Sequence, residues 1–390
     1  MPTARADSYN IESGAMLSAG RRARGFDNLT SITQTGTDGW APSGGTKYPL
    51  VMILHASGAG DSTLANGAKY TSVTTGDLAL SFDTELRWAV QQGLPAGTVT
   101  VRPSDKRNNT VAGWPGFESY HMGFVKSSEL HLITERQYDQ LLAWIDANVP
   151  QAHPTKRCLV GGSMGAWGTM TYGIRRAHKF AALYPDRPRL RYSGGTSITL
   201  PGESPVASSY VVGADPPLSA LDGGTQSAAH LDAIAYASNT SNVMPWVGWN
   251  LGKADGFAPF EDSVAMVAAM RAAGRGFAFA WNSGDHSSGS IPSQITNSYP
   301  YGLFEIGKGY PVFSEHSLDG DPSTDAAGGI NVGLTFRNVT ESAAAWSCQV
   351  THISSACTVK VKPYSTIYTG SPTPTLVTIP AANSWVTVSF

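Results

Sequence analysis

Apolar positions in this chain come in two periods, and the change between them organises the sequence. Four runs are mainly apolar: Tyr48 to Leu54, Cys158 to Val160, Val243 to Leu251 and Gly276 to Trp281. A strand buried on both faces reads this way, so the runs predict interior strands of a parallel sheet. Gly97 to Arg102 is a further, β-branched strand. Between the strands lie stretches of near-helical spacing: Phe82 to Gln92, Ser128 to Asn148, Met164 to His178 and Glu261 to Ala273. In the second of these, Leu130, Ile133, Tyr138, Leu141, Leu142 and Ile145 would form one apolar stripe. Strand alternating with helix predicts an α/β fold, a mostly parallel sheet covered on both faces. Short alternating runs around Ser8 to Ile11 and Leu29 to Thr33 read as edge strands entering that sheet.

Beyond about residue 308 the helical period stops. Ile330 to Val339, Ala345 to Ile353, Thr358 to Tyr364, Thr375 to Ile379 and Ser384 to Phe390 alternate and are separated by Gly, Pro and Asn turns. They predict a small all-β sandwich. The division is residues 1–307 for the α/β domain and 308–390 for the β-module. Two stretches resist a periodic reading. Asn108 to Phe124 is an aromatic loop, and Arg189 to Asn242 is rich in Gly, Pro and Ser. The latter is taken as one more strand, an insertion and a helical piece near Ser227 to Ala237.

The chemistry sits where strands end. Gly161-Gly162-Ser163-Met164-Gly165 follows a strand and opens a helix. With 42 glycines in 390 residues the G-x-S-x-G letters alone decide little. The strand before them and the helix after them carry the reading. A strand turning directly into a helix strains the turn residue, and its neighbours must be small. Asp255 and His286 follow the two later strands. In an open α/β sheet such ends share one rim. Serine needs a base to take its proton, imidazole titrates near neutrality, and a buried carboxylate orients the imidazole.

On the turn Gly161 to Gly165, the order serine, acid, histidine and the strand-end His55-Ala56-Ser57-Gly58, residues 45–300 resemble the α/β-hydrolase superfamily. The resemblance implies a sheet of the α/β-hydrolase type with Ser163 as nucleophile, His286 as general base and acid, and Asp255 as orienting acid. It also implies an oxyanion hole formed by the N–H of Met164 and one from the loop after His55. Ser57 is the first choice for that second donor, with Ala56 behind it. Trp114 and Tyr120 are candidate substrate-binding residues, against a competing reading as loop packing with Phe117 and His121. No metal-ligand spacing occurs among His178, His230, His316 and His352, so neither metal nor cofactor is expected.

Composition narrows the partners. The chain is 41% hydrophobic and 14% charged, with net charge −2. No basic stripe suggests nucleic acid, and no apolar stretch approaches the length of a membrane span. Residues Met1 to Arg5 carry no apolar signal region, yet abundant Gly, Ser and Thr lean towards a secreted or periplasmic enzyme. Cys158 is expected as a buried free thiol. Cys348 and Cys357 are expected either as a disulfide or as two small core residues. The activity expected is a serine carboxylesterase acting on a small or polymeric ester, an acylated polysaccharide or polyester, with the β-module tethering the polymer. A serine peptidase and a non-catalytic binding protein are the alternatives.

Overall fold

The computed structural model describes residues 8–11, 30–34, 47–54, 98–102, 124–126, 129–131, 133–150, 152–191, 232–287 and 292–390. In chain order the α/β part contains β1 (Ser8–Ile11), β2 (Thr30–Gln34), β3 (Tyr48–Leu54), β4 (Val99–Arg102), β5 (Phe124–Lys126) and β6 (Glu129–His131). There follow α1 (Ile133–Asn148), β7 (Ala152–Gly162), α2 (Met164–Gly168), β8 (Ala182–Asp186), α3 (Ala233–Ser238), β9 (Trp246–Gly252), α4 (Phe260–Ala272), β10 (Phe277–Asn282) and α5 (Pro292–Thr296).

The main sheet runs β1-β2-β4-β3-β7-β8-β9-β10 and ends with β12 (Gly328–Ile330). From β4 to β10 every pair is parallel; β1, β2 and β12 are antiparallel to their neighbours. The fold is therefore the mostly parallel sheet of the α/β-hydrolase type. After β3 the chain adds β4 on one side and later β7 on the other. Strand order thus reverses between β3 and β7, and such a switch point opens a crevice at the carboxyl ends. Leu54 pairs with Gly161 there, one turn from Ser163.

Strand alternation sorts the core into two clusters. Leu50, Met52 and Leu54 face one side with Tyr138, Leu141 and Ile145 of α1 and Met266 and Met270 of α4. Val51 and Ile53 face the other side with Cys158, Val160, Ala278 and Ala280. Among the described residues, that second face packs against Ile295 of α5, Tyr299, Tyr301 and Phe304, and against the β-module, whose Phe313, Phe336, Trp346 and Val359 belong to the same apolar cluster. The module is a pair of three-stranded sheets. One joins β11 (Tyr310–Ser314), β15 (Cys357–Tyr364) and β16 (Thr375–Ile379); the other joins β13 (Leu334–Glu341), β14 (Trp346–His352) and β17 (Val386–Ser389).

Several expectations are corrected in detail. Residues 129–131 are not the first turn of a helix: they pair antiparallel with β5, and α1 begins only at Ile133. Strand β8 was not expected, with Pro185 near its end disguising it; most of the stretch 189–242, where one further strand was expected, lies outside the described residues. The helix after Ser163 changes to π geometry over Thr169–Gly173. Gly173 explains the close fit, since a Cβ there would lie 2.6 Å from Leu183 and 2.9 Å from Leu159. All three cysteines are free and buried. Cys348 and Cys357 sit on different sheets, and burial pushes the Cys158 and Cys348 thiols up to about 12. The expected helix at 82–92 lies outside the described residues. Among the described residues no helix is long and apolar enough to cross a membrane.

Candidate active site

Ser163 occupies the single-residue joint between β7 and α2, with φ 53° and ψ −116°. A side chain in that backbone region is strained and persists only where its surroundings enforce it. Two features enforce it. The Ser163 N–H donates to the Asp186 carbonyl on the neighbouring strand at 2.9 Å, and the Ser163 carbonyl accepts from Trp167 N–H at 3.1 Å. The turn is also so tight that a Cβ on Gly161 would stand 2.3 Å from the Gly165 main chain. Gly162 is different: a Cβ there would meet nothing closer than Asp186 Oδ2 at 3.7 Å. Of the two glycines before the serine, only the first is demanded by space.

Asp255 and His286 arrive after two further parallel strands, β9 and β10. The turns after β9 and β10 stay zipped together, Lys253 N–H donating to the Asn282 carbonyl at 2.8 Å and Ala254 N–H to the Gly284 carbonyl at 3.0 Å. Asp255 Oδ1 accepts the N–H groups of Phe257 at 2.8 Å and Ala258 at 2.9 Å. This locks the carboxylate and aims Oδ2 at His286 Nδ1, 2.7 Å away. His286 Nε2 is 2.7 Å from Ser163 Oγ. The Asp255 side chain is fully buried and that of His286 is 20% exposed. A buried carboxylate accepts only, so Nδ1 carries the proton, and Nε2 is left to accept from the serine hydroxyl. The Phe257 ring packs 4.8 Å from the imidazole and limits its rotation.

The sequence placed Ser163, Asp255 and His286 at strand ends on one rim, and the structure brings the three side chains into contact. Met164 opens α2, so its N–H has no acceptor within the helix, as an oxyanion donor requires. Ser57, Trp114 and Tyr120 lie outside the described residues, as do His55, Ala56, Phe117 and His121. Two other acids, Asp285 and Asp262, have partners of their own. Asp285 accepts the Ser287 N–H and hydroxyl at 2.9 and 2.8 Å, and Asp262 pairs with Arg191 Nε at 2.7 Å. His316 and His352 lie together in the β-module, ring centroids 5.4 Å apart. Among the described residues no cluster of side chains suited to a metal ion occurs.

Strand order, turn and triad define the class: an α/β-hydrolase-type fold with a Ser–His–Asp triad assembled on its carboxyl rim. Similar solved structures include the S-formylglutathione hydrolase of Agrobacterium tumefaciens, 16% identical over 73% of this chain and 90% of that one, TM-score 0.46. A fluorophosphonate-binding serine hydrolase of Staphylococcus aureus is 15% identical over 73% and 92%, TM-score 0.44. The dipeptidyl peptidase 4 of Porphyromonas gingivalis is 15% identical over 73% of this chain and 33% of that one, TM-score 0.45. No protein-family model matches the sequence, and no curated protein matches it.

Proposed function

We propose that the protein is a serine carboxylesterase working through an acyl-enzyme. One observation carries this reading: a hydroxyl, an imidazole and a buried carboxylate in unbroken hydrogen-bond contact, at 2.7 Å and 2.7 Å. Ser163 Oγ attacks the ester carbonyl carbon while its proton passes to His286 Nε2. Asp255 stabilises the imidazolium so formed, and the Met164 N–H donates to the developing oxyanion, an interaction typically of a few kcal/mol. His286 returns the proton to the departing alcohol. Water, deprotonated at the same nitrogen, then releases the acid and restores Ser163.

Low charge and a Gly-, Ser- and Thr-rich composition support a secreted or periplasmic enzyme with a polymeric substrate, an acylated polysaccharide or a polyester. For a polymeric substrate, the β-module would be the tethering surface that raises the local concentration of enzyme. A panel of short p-nitrophenyl esters, acylated sugars, polyesters and aminoacyl anilides, with wild type and Ser163→Ala, tests the reading. Ester turnover lost in the variant supports it. Anilides cleaved in preference to esters would make the protein a peptidase. No turnover of any of them by the wild type would leave a binding protein.

A further inference from the structure

The residue after β8 belongs to none of the three catalytic elements, yet it bonds to two of them and lies beside the third. Asp186 ends β8 with its side chain 1% exposed, and its carbonyl accepts the Ser163 N–H. Arg187 follows in left-handed backbone, φ 63°. Its own N–H donates to the Asn250 carbonyl on β9 at 2.9 Å, two residues before the turn that leads to Asp255. Its Nη2 donates to Asp186 Oδ2 at 2.9 Å, and its Nη1 donates to the main-chain carbonyl of His286 itself. Both partners lie directly under the nucleophile turn: a Cβ on Gly162 would come within 3.7 Å of Asp186 Oδ2 and 3.8 Å of Arg187 Nη2.

Left-handed backbone on an arginine carries strain, and strain of this kind collects at functional sites. Here it aims the guanidinium back across the sheet rim. The planar fork suits the task, because two separate N–H groups reach a carboxylate and a carbonyl at once in fixed relative positions. The histidine side chain is held by Asp255, but a side-chain bond alone does not fix where its Cα starts. The guanidinium supplies that second point.

We propose that Arg187 is a positioning residue of the triad, fixing the His286 main chain so that Nε2 meets the Ser163 hydroxyl. The proposal rests on the serine-hydrolase reading for its catalytic consequence, though not for its geometry. The competing role is plain charge balance for buried Asp186. Arg187→Gln alone does not separate the two, since withdrawing the guanidinium from a buried carboxylate is itself destabilising. The double variant Asp186→Asn with Arg187→Gln removes both charges and does separate them.

The test compares wild type, the double variant and Arg187→Lys by melting temperature, by rate of phosphonate labelling at Ser163, and by the low-field proton NMR signal of His286 Nδ1–H. Positioning predicts near-wild-type melting of the double variant, labelling slowed about 10- to 100-fold, and a shifted or broadened proton signal. Arg187→Lys, with one donor point in place of two, falls between. A double variant with wild-type labelling and an unmoved proton signal overturns the proposal. If wild type is itself unlabelled, the hydrolase reading fails, and the proton signal still reports whether Arg187 holds His286.

Discussion

The nucleophile turn and the histidine loop meet at one hydrogen bond but are built by different physics. Ser163 is placed by sterics: five consecutive residues, a turn too tight for a Cβ at Gly161, and a helix starting at once. His286 is placed by reach: its ring is held by Asp255 from 31 residues away, and its main chain by Arg187 from 99 residues away. A locally enforced position tolerates distant change and fails on a single methyl. A position enforced from afar tolerates local change and fails when any one tether is cut.

Substitutions at the meeting point should have the largest effect. Ser163→Ala or His286→Ala is expected to lower kcat for an ester by about 10⁶-fold, and the two together no further, because they act as a unit. A double variant much slower than either single would break that picture. Asp255→Asn, which keeps shape but leaves the imidazole in the wrong tautomer, should cost about 10⁴-fold with KM little changed.

The glycines sharpen the steric half of the comparison. Gly161→Ala drives a methyl into the Gly165 backbone, which cannot yield as a side chain would. A loss of about 1–3 kcal/mol or more in thermal unfolding is expected, with activity falling alongside. Gly162→Ala, one residue on, has space and should change melting little. Equal effects at the two sites would contradict a turn enforced by crowding.

The smallest effect concerns a histidine that serves structure rather than chemistry. His352 is buried in the β-module, its Nδ1 accepting the Ser354 and Ser355 N–H groups at 3.3 and 3.0 Å. Burial first, then the facing His316, lowers its pKa below 6.5. The folded state thus favours the neutral ring. The stability this contributes is present in full above pH 6.5 and is lost as pH falls through the lowered value. Melting temperature should drop below pH 6.5, and His352→Gln should flatten that slope while ester turnover at neutral pH is kept. An unchanged slope would show that His352 does not titrate in this range.

Legibility in the sequence follows the same division. Strands β3, β7, β9 and β10 announce themselves because both their faces are buried, and much of each reads as a run of apolar residues. The serine turn is legible because crowding demands glycine nearby. Asp255 and His286 are legible by order along the chain, each closing a strand. Strand β8 is not legible, because five residues ending in Pro185-Asp186 look like a turn. Arg187 leaves no local signal, since left-handed arginine has no composition cue and its partners lie 63 and 99 positions away. The alternation of Leu50, Met52 and Leu54 with Val51 and Ile53 required cover on both faces of the sheet. It did not say that, among the described residues, a β-module would help to cover the second.

The central claim is that an imidazole 123 positions downstream activates the Ser163 hydroxyl. Its most direct test is peptide mass mapping after treatment of native protein with a fluorophosphonate, in wild type and in His286→Ala. The account predicts one adduct, on Ser163, in the wild type and none at the same exposure in the variant. An adduct on another residue, or equal labelling of Ser163 in both proteins, would contradict it.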